Sequence, residues 1–189
     1  MAEREGFLGE VEAEASTRVS VCYQCGKCAA SCPVSFAMDL EPYQVMRLVQ
    51  LGAKEEVLRS RTIWLCASCT ACSERCPREV DVAAVMDALR IMARRQGYPI
   101  PEPAIAGFHD LFLDTVRAGG RLHELGLMAR YKIKTANLFS DLDVGLTMMR
   151  YGKLKPLPHR IHGVESVRAL FARVKARAGR AASAEEVQA

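Results

Sequence analysis

Aromatic residues are scarce in this chain: they make up 6% of its 189 residues, and Trp64 is the single tryptophan. A core must therefore be mostly aliphatic, and with 50% hydrophobic residues there is enough apolar material to build one. No uncharged apolar run approaches the roughly 18 residues needed to span a bilayer, so direct membrane insertion is not expected. The opening Met1-Ala2-Glu3-Arg4-Glu5 lacks the basic start and apolar stretch of an export signal, which predicts a cytoplasmic location. Charge is nearly balanced, with 26 basic against 22 acidic residues, which argues against a nucleic-acid partner. There is no Gly-rich dinucleotide fingerprint, no phosphate loop and no nucleophile beside a histidine, so no catalytic residues are assigned. Alternating Val, Ile and Thr runs are also missing around the cysteines, which disfavours a β-rich body.

What the chain does have is eight cysteines in two groups. Cys22, Cys25, Cys28 and Cys32 are followed by Pro33, and Cys66, Cys69, Cys72 and Cys76 by Pro77. Both groups read C-x2-C-x2-C-x3-C-P, each member of the second lies 44 residues after its counterpart, and no cysteine is left over. A reducing compartment makes disulfides a poor reading. Zinc sites favour two C-x2-C pairs, which is a different pattern. Three thiolates at steps of three on a looping segment can wrap one iron–sulfur cubane. The fourth, before proline, ligates the other cubane in the bacterial ferredoxin arrangement. The expected ligands of the first [4Fe–4S] cluster are thus Cys22, Cys25, Cys28 and Cys76. Those of the second are Cys66, Cys69, Cys72 and Cys32. With all positions taken by thiolate, neither cluster offers an open iron, and what remains is one-electron transfer. Dry surroundings from Val21, Ile63, Trp64 and Leu65 would lower the potentials. The Gly26 N–H and nearby Lys27, Arg75 and Arg78 would raise them.

The rest of the chain predicts an all-α fold. Residues 1–17 carry five Glu against Arg4 and are expected to form a flexible acidic arm. Residues 18–98 are expected to form an α-helical dicluster domain. Its helices start at Pro42 (apolar face Val45, Met46, Leu48, Val49; stop at Gly52) and over about 53–60. A third follows the Asp81 cap, with Val82, Val85, Met86, Leu89 and Met92 on one face and a stop at Gly97. The three prolines between Tyr98 and Pro103 mark a boundary. Residues 99–178 read as a helical extension for subunit docking, and 179–189 as a disordered tail. In the extension, Ile105, Phe108, Phe112 and Val116 make one helical face, closed by Gly119-Gly120. Ser140 and Asp143 suggest a capping box before Leu142, Leu146 and Met149, with Gly152 as the stop. Pro156 and Pro158 mark a second irregular connection, and a last helix carries Val164, Val167, Phe171 and Val174. From Arg150 to Arg180 there are nine basic residues and one acid, Glu165, a basic surface suited to an acidic partner or a phosphate group. The methionines are expected in the core. His109, His123, His159 and His162 read as ordinary surface residues, His159-x-x-His162 included.

The segments Cys22-Tyr-Gln-Cys-Gly-Lys-Cys-Ala-Ala-Ser-Cys-Pro33 and Ile63-Trp-Leu-Cys-Ala-Ser-Cys-Thr-Ala-Cys-Ser-Glu-Arg-Cys-Pro77 resemble the C subunit of heterodisulfide reductase. So do Gly120-Arg-Leu-His-Glu-Leu-Gly126, Gly152-Lys-Leu-Lys-Pro156 and Pro158-His-Arg-Ile-His-Gly163, so the resemblance covers about residues 18–178. It implies a small helical ferredoxin subunit with two [4Fe–4S] clusters, held by the eight cysteines named above. Its implied partners are a flavin-bearing A subunit and a cysteine-rich B subunit that performs the disulfide chemistry. Related complexes of sulfur-oxidising bacteria use such a subunit in cytoplasmic sulfur oxidation. Two other readings compete. One is the iron–sulfur subunit of another flavoprotein dehydrogenase, of the succinate or glycerol-phosphate type; the other is a redox-sensing iron–sulfur protein, for which no output module is visible.

Overall fold

The computed structural model describes residues 2–136, 142–154, 157–158 and 161–186. Among them no strand occurs, and the fold is all-α as the sequence predicts. The chain divides into two compact units, Met1–Pro103 and Ala104–Ala189.

The first unit contains α1 (Ala2–Ala15), α2 (Lys27–Ala30), α3 (Pro42–Leu51), α4 (Lys54–Leu58), α5 (Thr62–Leu65), α6 (Ala71–Glu74) and α7 (Val82–Arg95). Helix α3 starts where its sequence says. Glu41 and Gln44 form a reciprocal capping box, Pro42 needs no N–H donor there, and Gly52 ends the helix at φ +76°. Val45, Met46 and Val49 are fully buried, as expected. Helix α7 is capped by Asp81, whose carboxylate accepts from the Ala84 N–H at 3.0 Å. Its expected stripe of Val82, Val85, Met86, Leu89 and Met92 is buried throughout.

Helix α1 corrects the expectation of a flexible acidic arm. Phe7, Val11 and Ala15 recur every four residues, and all three are buried where α1 packs on α3 and α7. Three of its acids are engaged as well. Glu10 pairs with Lys54 at 3.1 Å, Glu14 with Arg95 at 3.3 Å, and Glu12 accepts from the Ser20 N–H at 2.8 Å. An acidic, low-hydropathy helix is thus held by three apolar side chains and three charge contacts.

Asp39 fastens the start of α3 to the start of α5. It accepts from the N–H of Leu40 (3.0 Å), Thr62 (2.9 Å) and Arg61 (2.8 Å), and lies 2.7 Å from the Thr62 hydroxyl. Partial burial pushes its carboxyl up, but the Arg61 and Thr62 donors together outweigh that and hold it below the ordinary carboxylate range. The folded state therefore favours the carboxylate. Its contribution is complete above the usual carboxylate pKa and is lost as pH falls through the lowered folded value. Asp39→Asn is expected to cost about 1 kcal/mol at neutral pH, the low end for such a cluster because Asp39 is exposed. Urea unfolding of both proteins across the acid range checks this: the gap between them narrows as pH falls, and a constant gap contradicts it.

The second unit contains α8 (Pro103–Gly119), α9 (Glu124–Lys134), α10 (Leu142–Arg150) and α11 (Val164–Glu186). Several expectations change here. The buried face of α8 is Ala106, Gly107 and Leu111, rotated from the expected Ile105, Phe108, Phe112 and Val116. A Cβ at Gly107 would come within 3.1 Å of the Lys134 side chain of α9. Phe108 is half-buried and meets Tyr131 edge-on at 5.6 Å. On α10, Leu146 and Met149 are exposed, as are Met128 and Met148, so these methionines are not core, unlike Met46, Met86 and Met92. Helix α11 continues through Glu186 where a disordered tail was expected from 179. Val164 on α11 is buried but Val174 is exposed. His123 is a helix cap rather than a plain surface residue, its Nδ1 accepting from the Gly126 N–H of α9 at 3.2 Å. Ser140, Pro156 and His159 lie outside the described residues; His162 is exposed.

Candidate functional site

The 44-residue repeat of the sequence is a repeat of backbone geometry. Gln24 and Ser68 occupy corresponding places and have φ of +64° and +48°; Gly26 and Thr70 follow with +75° and +60°. Each second member then starts a four-residue helix, α2 after Gly26 and α6 after Thr70. Cys32 N–H donates to Ala29 O at 3.0 Å, as Cys76 N–H does to Ser73 O at 3.1 Å. After the prolines, Ser35 N–H reaches Cys32 O as Glu79 N–H reaches Cys76 O. The left-handed residues reverse the chain twice within each C-x2-C-x2-C run. Gly26 carries its conformation without cost, whereas Gln24, Ser68 and Thr70 do not, a strain of the kind that concentrates at functional sites.

Helix α2 packs on α6, which brings the two loops together. Cys22, Cys25, Cys28 and Cys76 line one small cavity, with Tyr43, Met46, Val80 and Val82 in its wall. Three thiols of the first motif thus share a space with the last thiol of the second. Gln24 Nε2 donates to Cys22 Sγ at 3.4 Å, and the Val80 N–H to Cys76 Sγ at 3.4 Å. Burial pushes the Cys28 thiol up to about 11, with Cys22 adding to the effect. On the other side, burial pushes Cys66 up; Arg90 and the Ser68 N–H oppose this, while Asp87 and Cys32 add to it. Cys72 is likewise raised by burial and then by Cys66. Cys32 therefore lies within electrostatic reach of Cys66. Cys25 and Cys69, the corresponding middle members, are the two exposed cysteines.

Two residues that the sequence reading missed hold the loops. Gln50, on the otherwise apolar face of α3, donates through Nε2 to Val19 O at 3.0 Å and Cys22 O at 2.9 Å, fixing the entry to the first loop. Arg90 of α7 reaches Cys66 O and Ser68 Oγ, each at 3.4 Å, and Asp87 at 2.9 Å, fixing the second. A polar residue breaking an apolar stripe is the signal that would have found Gln50. Lys27, Arg75 and Arg78, the expected charges, are all exposed.

The donor set fits iron–sulfur cubanes. Among the described residues no three His, Cys, Asp or Glu side chains converge as a single metal ion needs; Cys22, Cys25, Cys28 and Cys76 instead line a cavity. Buried thiols that crowd one another favour the neutral form alone, and bound metal is what makes such thiols thiolates. Two buried N–H groups, Arg90 Nε and Trp64 Nε1, have no acceptor among the described residues. Both belong to segments around the second loop, where an anionic group would take up such donors.

Comparison with known proteins agrees. A family model for a 4Fe-4S dicluster domain matches residues 18–80. The chain is 40% identical over 87 residues to the iron-sulfur C subunit of the CoB–CoM heterodisulfide reductase of Methanopyrus kandleri, covering 46% of this chain and 45% of that protein. It is 33% identical over 134 residues to a protein of Archaeoglobus profundus that is like the heterodisulfide reductase C subunit, covering 69% of this chain and 68% of the relative. It is also 31% identical over 165 residues to the 8-methylmenaquinol:fumarate reductase iron-sulfur subunit of Wolinella succinogenes, covering 77% of this chain and 50% of that protein. The matches to the Methanopyrus and Wolinella proteins thus span about half the length of each. Motifs, repeated loop geometry and a match over two thirds of the Archaeoglobus relative agree, and the chain belongs to the family of the heterodisulfide reductase C subunit.

Proposed function

We propose that this chain is the iron–sulfur electron-transfer subunit of a heterodisulfide reductase-like complex. In this reading it relays single electrons between a flavin-bearing A subunit and a cysteine-rich B subunit. The observation that carries it is the cavity shared by Cys22, Cys25, Cys28 and Cys76, one motif completed by the other. Cys66, Cys69, Cys72 and Cys32 form the second ligand set. Two [4Fe–4S] clusters, when bound there, each accept and release one electron without bond rearrangement. The chain's own residues supply the rest. Gln50 and Arg90 fix the loops, the α2–α6 contact keeps the two ligand sets adjacent, and Met46, Val80 and Val82 exclude water from the first. All eight thiols are used as ligands, so the chain has no catalytic site of its own and the disulfide or sulfur chemistry belongs to a partner. No helix among the described residues is long and apolar enough to cross a membrane. Cytoplasmic residence is part of the proposal and rests on thiols used as metal ligands rather than as disulfides.

A second reading has one specific observation behind it. The similarity to the Wolinella fumarate reductase subunit extends over 165 residues, beyond the cysteine motifs and into the second unit. It makes an iron–sulfur subunit of another flavoprotein oxidoreductase the alternative.

Anaerobic purification of the full chain is expected to yield about eight irons and eight sulfides per chain, the content of two cubanes. Stoichiometric zinc, or about one iron, contradicts the reading. Gentle affinity purification from the native host then separates the two complexes. A co-purifying flavoprotein with a cysteine-rich subunit supports the first, and a dicarboxylate-oxidising or -reducing flavoprotein the second.

A further inference from the structure

The two loops share their backbone but not their donors. At the first, the side chain that meets the leading cysteine is a neutral amide: Gln24 Nε2 on Cys22 Sγ. At the second, the corresponding residue is Ser68, too short to do the same, and a guanidinium from another helix reaches the backbone oxygen of Cys66 instead. Arg90 is anchored by Cys66 O, Ser68 Oγ and Asp87, and Ser68 in turn donates to Asp87 at 3.1 Å. Its Nε–H is buried and has no acceptor among the described residues.

We infer that Arg90 sets the reduction potential of the second-loop cluster above that of the first, so that the relay has a built-in direction from the first loop to the second. The inference rests on the electron-transfer reading. Reduction adds a negative charge, and a fixed cation beside one centre stabilises its reduced form. Burial decides which charges matter. The Arg90 side chain is 13% exposed and its counter-charge Asp87 is 52% exposed, so water screens the carboxylate more than the guanidinium. Lys27, Arg75 and Arg78 are exposed and correspondingly screened. Gln24 brings a dipole but no charge.

Redox titration of the full chain, followed by electron paramagnetic resonance, tests this. Cys25→Ser and Cys69→Ser proteins first assign one signal to each loop. The wild-type second-loop potential is expected to be the higher. In Arg90→Gln it is expected to fall by about tenfold in the reduction equilibrium, 59 mV for a one-electron couple, with the first-loop potential unmoved. Arg90→Lys, which keeps the charge, recovers most of the difference, as a merely structural role would not predict. Equal wild-type potentials, a higher first-loop potential, or an Arg90→Gln shift that is absent or shared by both centres overturns the inference while leaving a two-cluster protein intact. Absence of both clusters from wild type instead refutes the functional reading. Should Arg90→Gln lose its second-loop cluster, Asp87→Asn decides: releasing the counter-charge raises that same potential, and no change overturns the inference.

Discussion

A Cys32→Ser protein purified without oxygen will hold about four irons per chain instead of about eight, and the surviving signal will be that of the first loop. Proximity in sequence predicts the opposite, since Cys32 stands four residues after Cys28. The geometry explains the exchange. The Cys32 N–H closes on Ala29 O and Pro33 follows, so the chain leaves the first loop at this point. Burial already raises Cys66, and Cys32 is among the groups that raise it further, so it lies within electrostatic reach of that thiol. Cys76 is the mirror case, in the wall of the cavity with Cys22, Cys25 and Cys28. Cys76→Ser is therefore expected to deplete the first-loop centre, and the pair of variants makes a reciprocal test. Loss of the first-loop signal in Cys32→Ser, with the second retained, would show that each motif closes on itself.

What could be read from the chain alone follows from how local the physics is. The cysteine pattern was legible because cluster ligation demands a thiolate at every position and a fixed step between them. Helices α3 and α7 were legible because their caps and apolar stripes lie within a single segment. Helix α1 carried a stripe too, at Phe7, Val11 and Ala15, but its five acids made it read as solvated. Three of those acids, Glu10, Glu14 and Glu12, bond to Lys54, Arg95 and Ser20, which lie on later segments and are invisible locally. Arg90 is the same problem at the site. It lies 24 residues beyond Cys66, so sequence proximity pointed to Lys27, Arg75 and Arg78, which solvent screens. On α8 the bulky residues drew the eye, while the buried positions are Ala106, Gly107 and Leu111.

Anaerobic removal of iron from the full chain is expected to unfold the loops and leave the helical frame standing. Helices α2 and α6 have four residues each, far below the length at which a helix persists on its own. Three residues in their loops, Gln24, Ser68 and Thr70, sit at positive φ, which costs on the order of 1 kcal/mol or more each unless something holds them. In small metal domains binding supplies on the order of 10 kcal/mol, as much as the whole stability of many domains, so the loops cannot keep this shape without it. The frame differs. Val11, Val45, Met46, Val49, Val85, Met86 and Leu89 are essentially fully buried among α1, α3 and α7, and each such side chain contributes about 1.5–3 kcal/mol through burial alone. Hydrogen exchange of the loaded and iron-free chains therefore separates the parts. Amides of residues 18–34 and 66–80 lose protection by several orders of magnitude, whereas those in the middle of α3 and α7 lose far less. Equal protection of both loops with and without iron would mean that the peptide alone stabilises the geometry, and cluster binding would then contribute nothing to folding.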